Sequence, residues 1–212
     1  MRREEEIEKE KQMLREKIWK SFLEKGIASF PPPFGRIPNF IGVNKTAEIL
    51  RQLKEYQRAE VIFCSPDSPQ RPIREVALKD GKVLIVATPR LRKGFIMIRP
   101  EDVKGLERLA STIRGAFKFG KTVSTVTVDL AVIGSVAVDL EGNRLGKGGG
   151  YGDIEIETIT KENPSVIVAT NVHPIQIVEI VPASEHDKKV DLVITLDRAI
   201  WTRWGRLKHH IE

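Results

Sequence analysis

An α/β fold on a mostly parallel sheet, with helices covering both faces, is what this sequence predicts, and three observations predict it. Several short runs are uniformly apolar, among them Val-Leu-Ile-Val-Ala within residues 82–88 and Val-Ile-Val-Ala at 166–169, as in strands buried on both sides. Helical patterns alternate with these runs along the chain. A glycine-rich stretch, Gly142 to Asp153, joins an apolar run to an amphipathic one, the layout of a loop that cradles phosphate.

The elements follow in order. Residues 3–25 read as a helix: Ile7, Leu14, Ile18 and Phe22 recur at helical spacing, Trp19 sits beside them, and Gly26 is a natural stop. Lys11 and Arg15 lie four apart on one face of it, set to clamp phosphate or to meet solvent. The segment from Phe30 to Phe40 holds four prolines within eight residues, so it is neither helix nor central strand. Its phenylalanines, Phe40 among them, either wall a ligand pocket or pin a loop to the core. Asn44 caps a helix to about Tyr56, a strand follows at residues 60–64, and Ser65-Pro66-Asp67-Ser68-Pro69 makes a turn. A short helix or irregular piece at 71–78 leads to the apolar strand at 82–88.

Pro89-Arg90-Leu91-Arg92-Lys93-Gly94 places three cations at that strand's exit, where ligands gather in open α/β sheets, and a strand at 95–98 comes next. Residues 101–125 read as a polar connection with a weak helix near 103–109. A strand at 126–133 leads toward the glycine loop, and a helix from Asp153 to about Glu162 ends at Asn163-Pro164. Strands at 166–169 and 192–196 complete the sheet, and alternation across 174–181 predicts an edge strand or hairpin. No internal repeat or linker appears, so residues 1–212 are expected to form a single domain.

Composition narrows the function classes. No apolar run reaches the ~18 residues that span a bilayer, and the N-terminal Met-Arg-Arg-Glu-Glu-Glu lacks a secretory apolar core. Cys64 is the sole cysteine, which excludes intrachain disulfides, and a small buried thiol is its expected state. A cytoplasmic protein is the expectation. The net charge of +6 favours anionic partners, yet the charge is interspersed, which speaks against a dedicated nucleic-acid tail. His186, Asp187 and Asp191 make a conceivable metal set without a zinc-helix signature, and His209-His210 reads as a solvated tail.

The glycine loop carries the chemistry. Glycines at 142, 146, 148, 149, 150 and 152 free the main chain to approach a bulky anion, so that successive N–H groups converge on its oxygens. Lys147 adds a full positive charge and Asp153 a possible magnesium ligand. Lys147 precedes Gly148, so this is not a Walker A loop, and it falls too late in the chain for a dinucleotide fingerprint.

Gly142-Asn-Arg-Leu-Gly-Lys-Gly-Gly-Gly-Tyr151 with Asp153 resembles the signature of the 5-formyltetrahydrofolate cyclo-ligase family. The stretch from Val181 to Thr195 resembles its C-terminal segment, and Lys11 with Arg15 a pair in its first helix. The resemblance runs from about residue 7 to 200 and implies a three-layer α/β/α domain of the sugar-isomerase and CoA-transferase-like type. It implies ATP and Mg²⁺ as cofactors, with ATP phosphorylating the formyl oxygen of 5-formyltetrahydrofolate. Ring closure by N10 then gives 5,10-methenyltetrahydrofolate, ADP and phosphate. By the same resemblance Lys11, Arg15, Arg144, Gly146, Lys147, Gly148, Gly149, Gly150 and Tyr151 would hold ATP, Asp153 would hold magnesium, and Lys147 and Asp153 would serve catalysis. Phe40, Arg90, Arg92 and Tyr151 are the candidates for contact with a folate or related pterin.

The family reads Gly-Tyr-Tyr-Asp-Arg where this chain has Gly150-Tyr151-Gly152-Asp153-Ile154. Arg36 to Phe40, Thr88 to Arg92 and Gly134-Ser-Val-Ala-Val138 resemble the methenyltetrahydrofolate synthetase domain-containing branch. Two other readings stay open: a phosphate-activating enzyme acting on another pterin or heterocycle, and a nucleotide- or RNA-binding protein without catalysis.

Overall fold

The computed structural model describes residues 2–124 and 127–211. The chain opens with α1 (Arg2–Glu24), α2 (Asn44–Arg51) and α3 (Lys54–Arg58), then β1 (Val61–Cys64), α4 (Arg71–Lys79), β2 (Val83–Ala87) and β3 (Phe95–Ile98). After these come α5 (Glu107–Ala110), α6 (Ile113–Phe119), β4 (Lys121–Val123), β5 (Leu130–Ile133), β6 (Ala137–Val138) and β7 (Arg144–Leu145). The last elements are α7 (Tyr151–Glu162), β8 (Ile167–Asn171), β9 (Leu192–Ile194), β10 (Ala199–Trp201) and α8 (Arg203–His209).

Eight strands form one sheet in the order β10-β9-β8-β5-β1-β2-β3-β4. The five central strands, β9, β8, β5, β1 and β2, run parallel, while β3, β4 and β10 pair antiparallel at the edges. Alternation of side chains sorts the strand residues into two cores. Ile62, Cys64, Leu84, Val86, Leu130 and Val132 turn to one face, where Leu50 of α2, Ile73 and Ala77 of α4, Ala110 of α5 and Ala116 of α6 cover them. Phe63, Ile85, Ala131 and Ile133 turn to the other, beneath Ile156 and Ile159 of α7. The expected three layers are therefore present, because strands that are apolar on both sides demand helices on both sides.

A third cluster lies beyond the sheet. Ile18, Trp19 and Phe22 of α1 pack with Ile37, Phe40 and the small β6–β7 hairpin. The proline segment runs between them, anchored by the Trp19 indole donating to the Arg36 carbonyl at 2.9 Å.

Five expectations need correction. Val43, not Asn44, stands before α2, without a side-chain cap, and that helix ends at Arg51 instead of running to Tyr56, which lies in the separate α3. The stretch at 174–181 is not a strand: His173 caps a 3₁₀ turn at Pro174–Gln176, and only Ile177 bridges, to Val138. Buried Gln176 ties this turn to the Ser135 carbonyl at 2.8 Å, so its burial comes from side-chain bonding and not from a ladder. Residues 101–124 are not a plain connection but carry α5, α6 and the edge strand β4; the expected strand start at Val126 lies outside the described residues. Asp129 stands before β5, not within it, and accepts from the Glu60 and Val61 N–H groups at 2.9 Å each. The chain ends in β10 and α8, with His210 exposed as expected but His209 held within the fold. His209 packs on Trp201 with ring centres 5.7 Å apart, and its Nε2 lies 3.3 Å from an Asp191 carboxyl oxygen. Among the described residues no helix is long and apolar enough to cross a membrane.

Candidate active site

The chain leaves β1 toward β2 on one side and returns to β5 on the other. Such a reversal opens a crevice at the strands' carboxyl ends. Here it is a cavity of about 520 Å³, floored by Ser65 and Asp67 after β1, Thr88 to Arg90 after β2, and Gly134 after β5. The glycine loop closes it from above with Gly146, Lys147 and the start of α7, and Ile37, Ile113 and Ile133 supply apolar walls.

Two of its glycines show what the loop's path demands. Gly150 stands before α7 with φ at 69°, a left-handed conformation that a side chain would strain. Gly152, one residue into that helix, lies so near Arg144 that a Cβ would meet its guanidinium nitrogens at 2.9 and 3.0 Å. Arg144, 4% exposed, donates to the Gly134 carbonyl at 3.1 Å and to Asp153 at 2.8 Å, and its Nε has no partner among the described residues. Lys147 pairs with Asp67 at 2.6 Å across the mouth. At the other rim Arg90 and Leu91 both take positive φ, at 56° and 52°, a costly pair for residues with side chains.

Beneath the loop lies Glu155, one turn into α7 and 5% exposed. Ser65 donates to its Oε2 at 2.9 Å. Burial pushes its carboxyl up to about 7; the Ser65 hydroxyl pulls the other way, Asp67 adds to the rise, and Arg144 and Lys147 oppose it. Cys64, one residue before Ser65, is sealed, and burial pushes its thiol up to about 12, which rules it out as a ready nucleophile.

A sequence model described as the 5-formyltetrahydrofolate cyclo-ligase family matches residues 7–196. The chain belongs to that family. Methenyltetrahydrofolate synthase domain-containing proteins of Mus musculus and Homo sapiens are 40% and 37% identical over 213 residues, and both alignments take in 93% of this chain. They cover 56% and 55% of those proteins, so the chain spans about half the length of the curated relatives it matches. Among solved structures, the Aquifex aeolicus 5,10-methenyltetrahydrofolate synthetase superposes with a TM-score of 0.61 at 21% identity, covering 91% of this chain and 93% of the other. The Mycoplasma pneumoniae 5,10-methenyltetrahydrofolate synthetase gives 0.53 at 14%, covering 87% and 97%. At such identities the two structures establish the shared fold.

The residues singled out from the cyclo-ligase signature divide into two sets. Arg144, Gly146, Lys147, Gly149, Gly150, Tyr151, Asp153 and Arg90 line the one cavity. Lys11, Arg15, Gly148, Phe40 and Arg92 do not. Lys11 binds both Asp187 oxygens, at 2.8 and 2.6 Å; burial works to raise that carboxyl, but the bonds from Lys11 and Ser184 outweigh it and hold it below its ordinary value. Arg15 grips the loop from behind, its Nε donating to the Gly146 carbonyl at 2.9 Å, and Gly148 lies against its guanidinium. Phe40 is 1% exposed between Phe22 and His173, so it pins the proline segment to the core and walls no pocket. Arg92 points to solvent beyond the rim.

His186, Asp187 and Asp191 do not form a metal set. Among the described residues no three such side chains group as a metal cage. Asp153 spends Oδ1 on Arg144 and on the Lys188 N–H. A single carboxyl with one oxygen left over suits a magnesium ion whose remaining ligands are phosphate and water. Sequence reasoning missed Ser65, Asp67 and Glu155. A signal existed: Glu155 stands four residues after Tyr151, hence on the same helix face, and Ser65–Asp67 is the exit of a parallel strand.

Proposed function

We propose that this chain binds ATP with Mg²⁺ and uses it to cyclise 5-formyltetrahydrofolate to 5,10-methenyltetrahydrofolate. The observation that carries this reading is the convergence of the glycine loop, Arg144, Lys147 and Asp153 on one cavity at the switch point of the sheet. Backbone N–H groups at the start of α7 and the Lys147 ammonium would receive the phosphates. Arg144, held by Asp153 and the Gly134 carbonyl, would set the loop's height above the β5 exit. Asp153 would hold magnesium, which supplies charge neutralisation at the transferring phosphoryl group. Positioning and charge are most of what such a transfer requires. Arg90, exposed at the cavity's rim, and the apolar walls would take the folate.

The test is absorbance of methenyl product from purified protein with 5-formyltetrahydrofolate, ATP and Mg²⁺. Product that appears only with all three supports the reading. ATP binding without any product, across neutral pH, removes it.

A further inference from the structure

Resting on that reading, we propose that Glu155 selects the acceptor: its carboxyl receives the paired N–H donors of a 2-amino-4-oxo heterocycle, the edge a pterin presents. Glu155 lines the cavity, yet it is 5% exposed and makes one hydrogen bond, from Ser65, among the described residues. Charged side chains are rarely buried without a partner. The two cations nearby are engaged elsewhere, Arg144 with Asp153 and the Gly134 carbonyl, and Lys147 with Asp67.

Ser65 fixes Oε2 and so orients the carboxyl plane. A carboxyl in a fixed plane is matched by two parallel donors. Ring N–H and exocyclic amino group of a 2-amino-4-oxo ring provide them. An adenine edge sets an acceptor beside its amino group and so offers the ionised carboxylate only one donor. A phosphate is repelled. Ile37 and Ile133 line the same cavity and offer apolar surface to a ring.

Calorimetric titration with 2-amino-4-oxopteridine and with 4-oxopteridine, which lacks the amino donor, tests this without recourse to turnover. Wild-type protein should prefer the amino compound by roughly 10- to 100-fold. Glu155→Gln should lose that preference while its affinity for a non-hydrolysable ATP analogue stays within about twofold, which also reports an intact fold. Ser65→Ala, which keeps the carboxyl but frees its plane, should lose part of the preference. A wild-type protein indifferent to the amino group, or a Glu155→Gln variant that keeps the preference, overturns the proposal. The two readings fail separately. Methenyl formation with a Glu155-independent preference sinks this one alone. A Glu155-dependent preference with no methenyl formation sinks the cyclisation alone.

Discussion

Asp139 and Glu155 are both carboxyls closed off from solvent, at 1% and 5% exposure, and their surroundings are opposite. Asp139, just after β6, takes three donors from the chain itself: Asn143 N–H and Asn143 Nδ2 at 2.9 Å each, and the Val181 N–H at 3.0 Å. It holds the hairpin turn closed and fastens the segment that leads to Asp187. Glu155 takes one hydroxyl and looks into a cavity. The difference teaches where folding was completed and where it was left open. A buried carboxyl satisfied by backbone N–H groups is architecture, and one left short of donors beside a cavity is a place for something else.

Removing the first should hurt most. Asp139→Ala leaves the Asn143 and Val181 N–H groups without their acceptor, at a cost of about 4 kcal/mol. Urea unfolding measures it, and a loss below about 1 kcal/mol would place Asp139 in the same class as Glu155. The second variant should behave in reverse. With the carboxyl raised from 4.5 to about 7 in the folded state, the native protein binds a proton that the unfolded chain has released between those values. Stability from this group is therefore full below pH 4.5 and is lost as pH rises toward 7. Glu155→Gln, which cannot titrate, should match the wild type near pH 4.5 and exceed it by about 3 kcal/mol at pH 8. Parallel melting curves for the two proteins across that range would erase the contrast.

Next in size is the loop's own carboxyl. On the proposed reading, Asp153→Asn should lower turnover by on the order of 100-fold. The fold should persist, since the Asn oxygen can still accept from Arg144 and from Lys188 N–H. Magnesium titration of the variant is the check: activity unchanged, with an unchanged magnesium dependence, would move the metal away from this residue.

How far these two regions were legible in the sequence follows from how local their causes are. The strands β1, β2, β3, β8 and β9 were visible because apolar runs of that length carry their own signal. α6 and α8 were not, although each starts on a local cap, Thr112 accepting from the Gly115 N–H at 2.9 Å and Thr202 from the Gly205 N–H at 3.0 Å: a seven-residue helix with a glycine at its third position carries little helical signal of its own. The glycine loop announced itself by composition. Glu155 was legible only as a residue on the Tyr151 face of its helix; that the exit of β1 folds against that face is a tertiary fact that no local pattern carries. Lys11 and Arg15 show what spacing leaves open. Their spacing marked a cationic face correctly, but the face turns to Asp187 and to the back of the loop, a choice made by the packing of α1 against the β6–β7 hairpin.

Lys147 gives the smallest expected change in the free protein and the finest test of the contrast. Its ion pair with Asp67 is short, at 2.6 Å, yet the lysine side chain is 42% exposed and the partner 17%. Pairs so open to water are worth about 0.5 kcal/mol, because solvent screening and the ordering of a long side chain consume the attraction. Lys147→Ala should therefore leave the melting temperature within about 2 °C of wild type. The same change should weaken binding of an ATP analogue about tenfold, since an ammonium on phosphate forms a stronger, charge-assisted bond than one on a rim carboxylate. Asp67 thus stands where an anionic ligand would, and Asp67→Asn should tighten the analogue by up to about threefold by removing the competitor and its repulsion. Equal losses of stability and nucleotide affinity in Lys147→Ala would mean that this ion pair belongs with Asp139, as architecture, and that the loop is held by the chain rather than kept for a ligand.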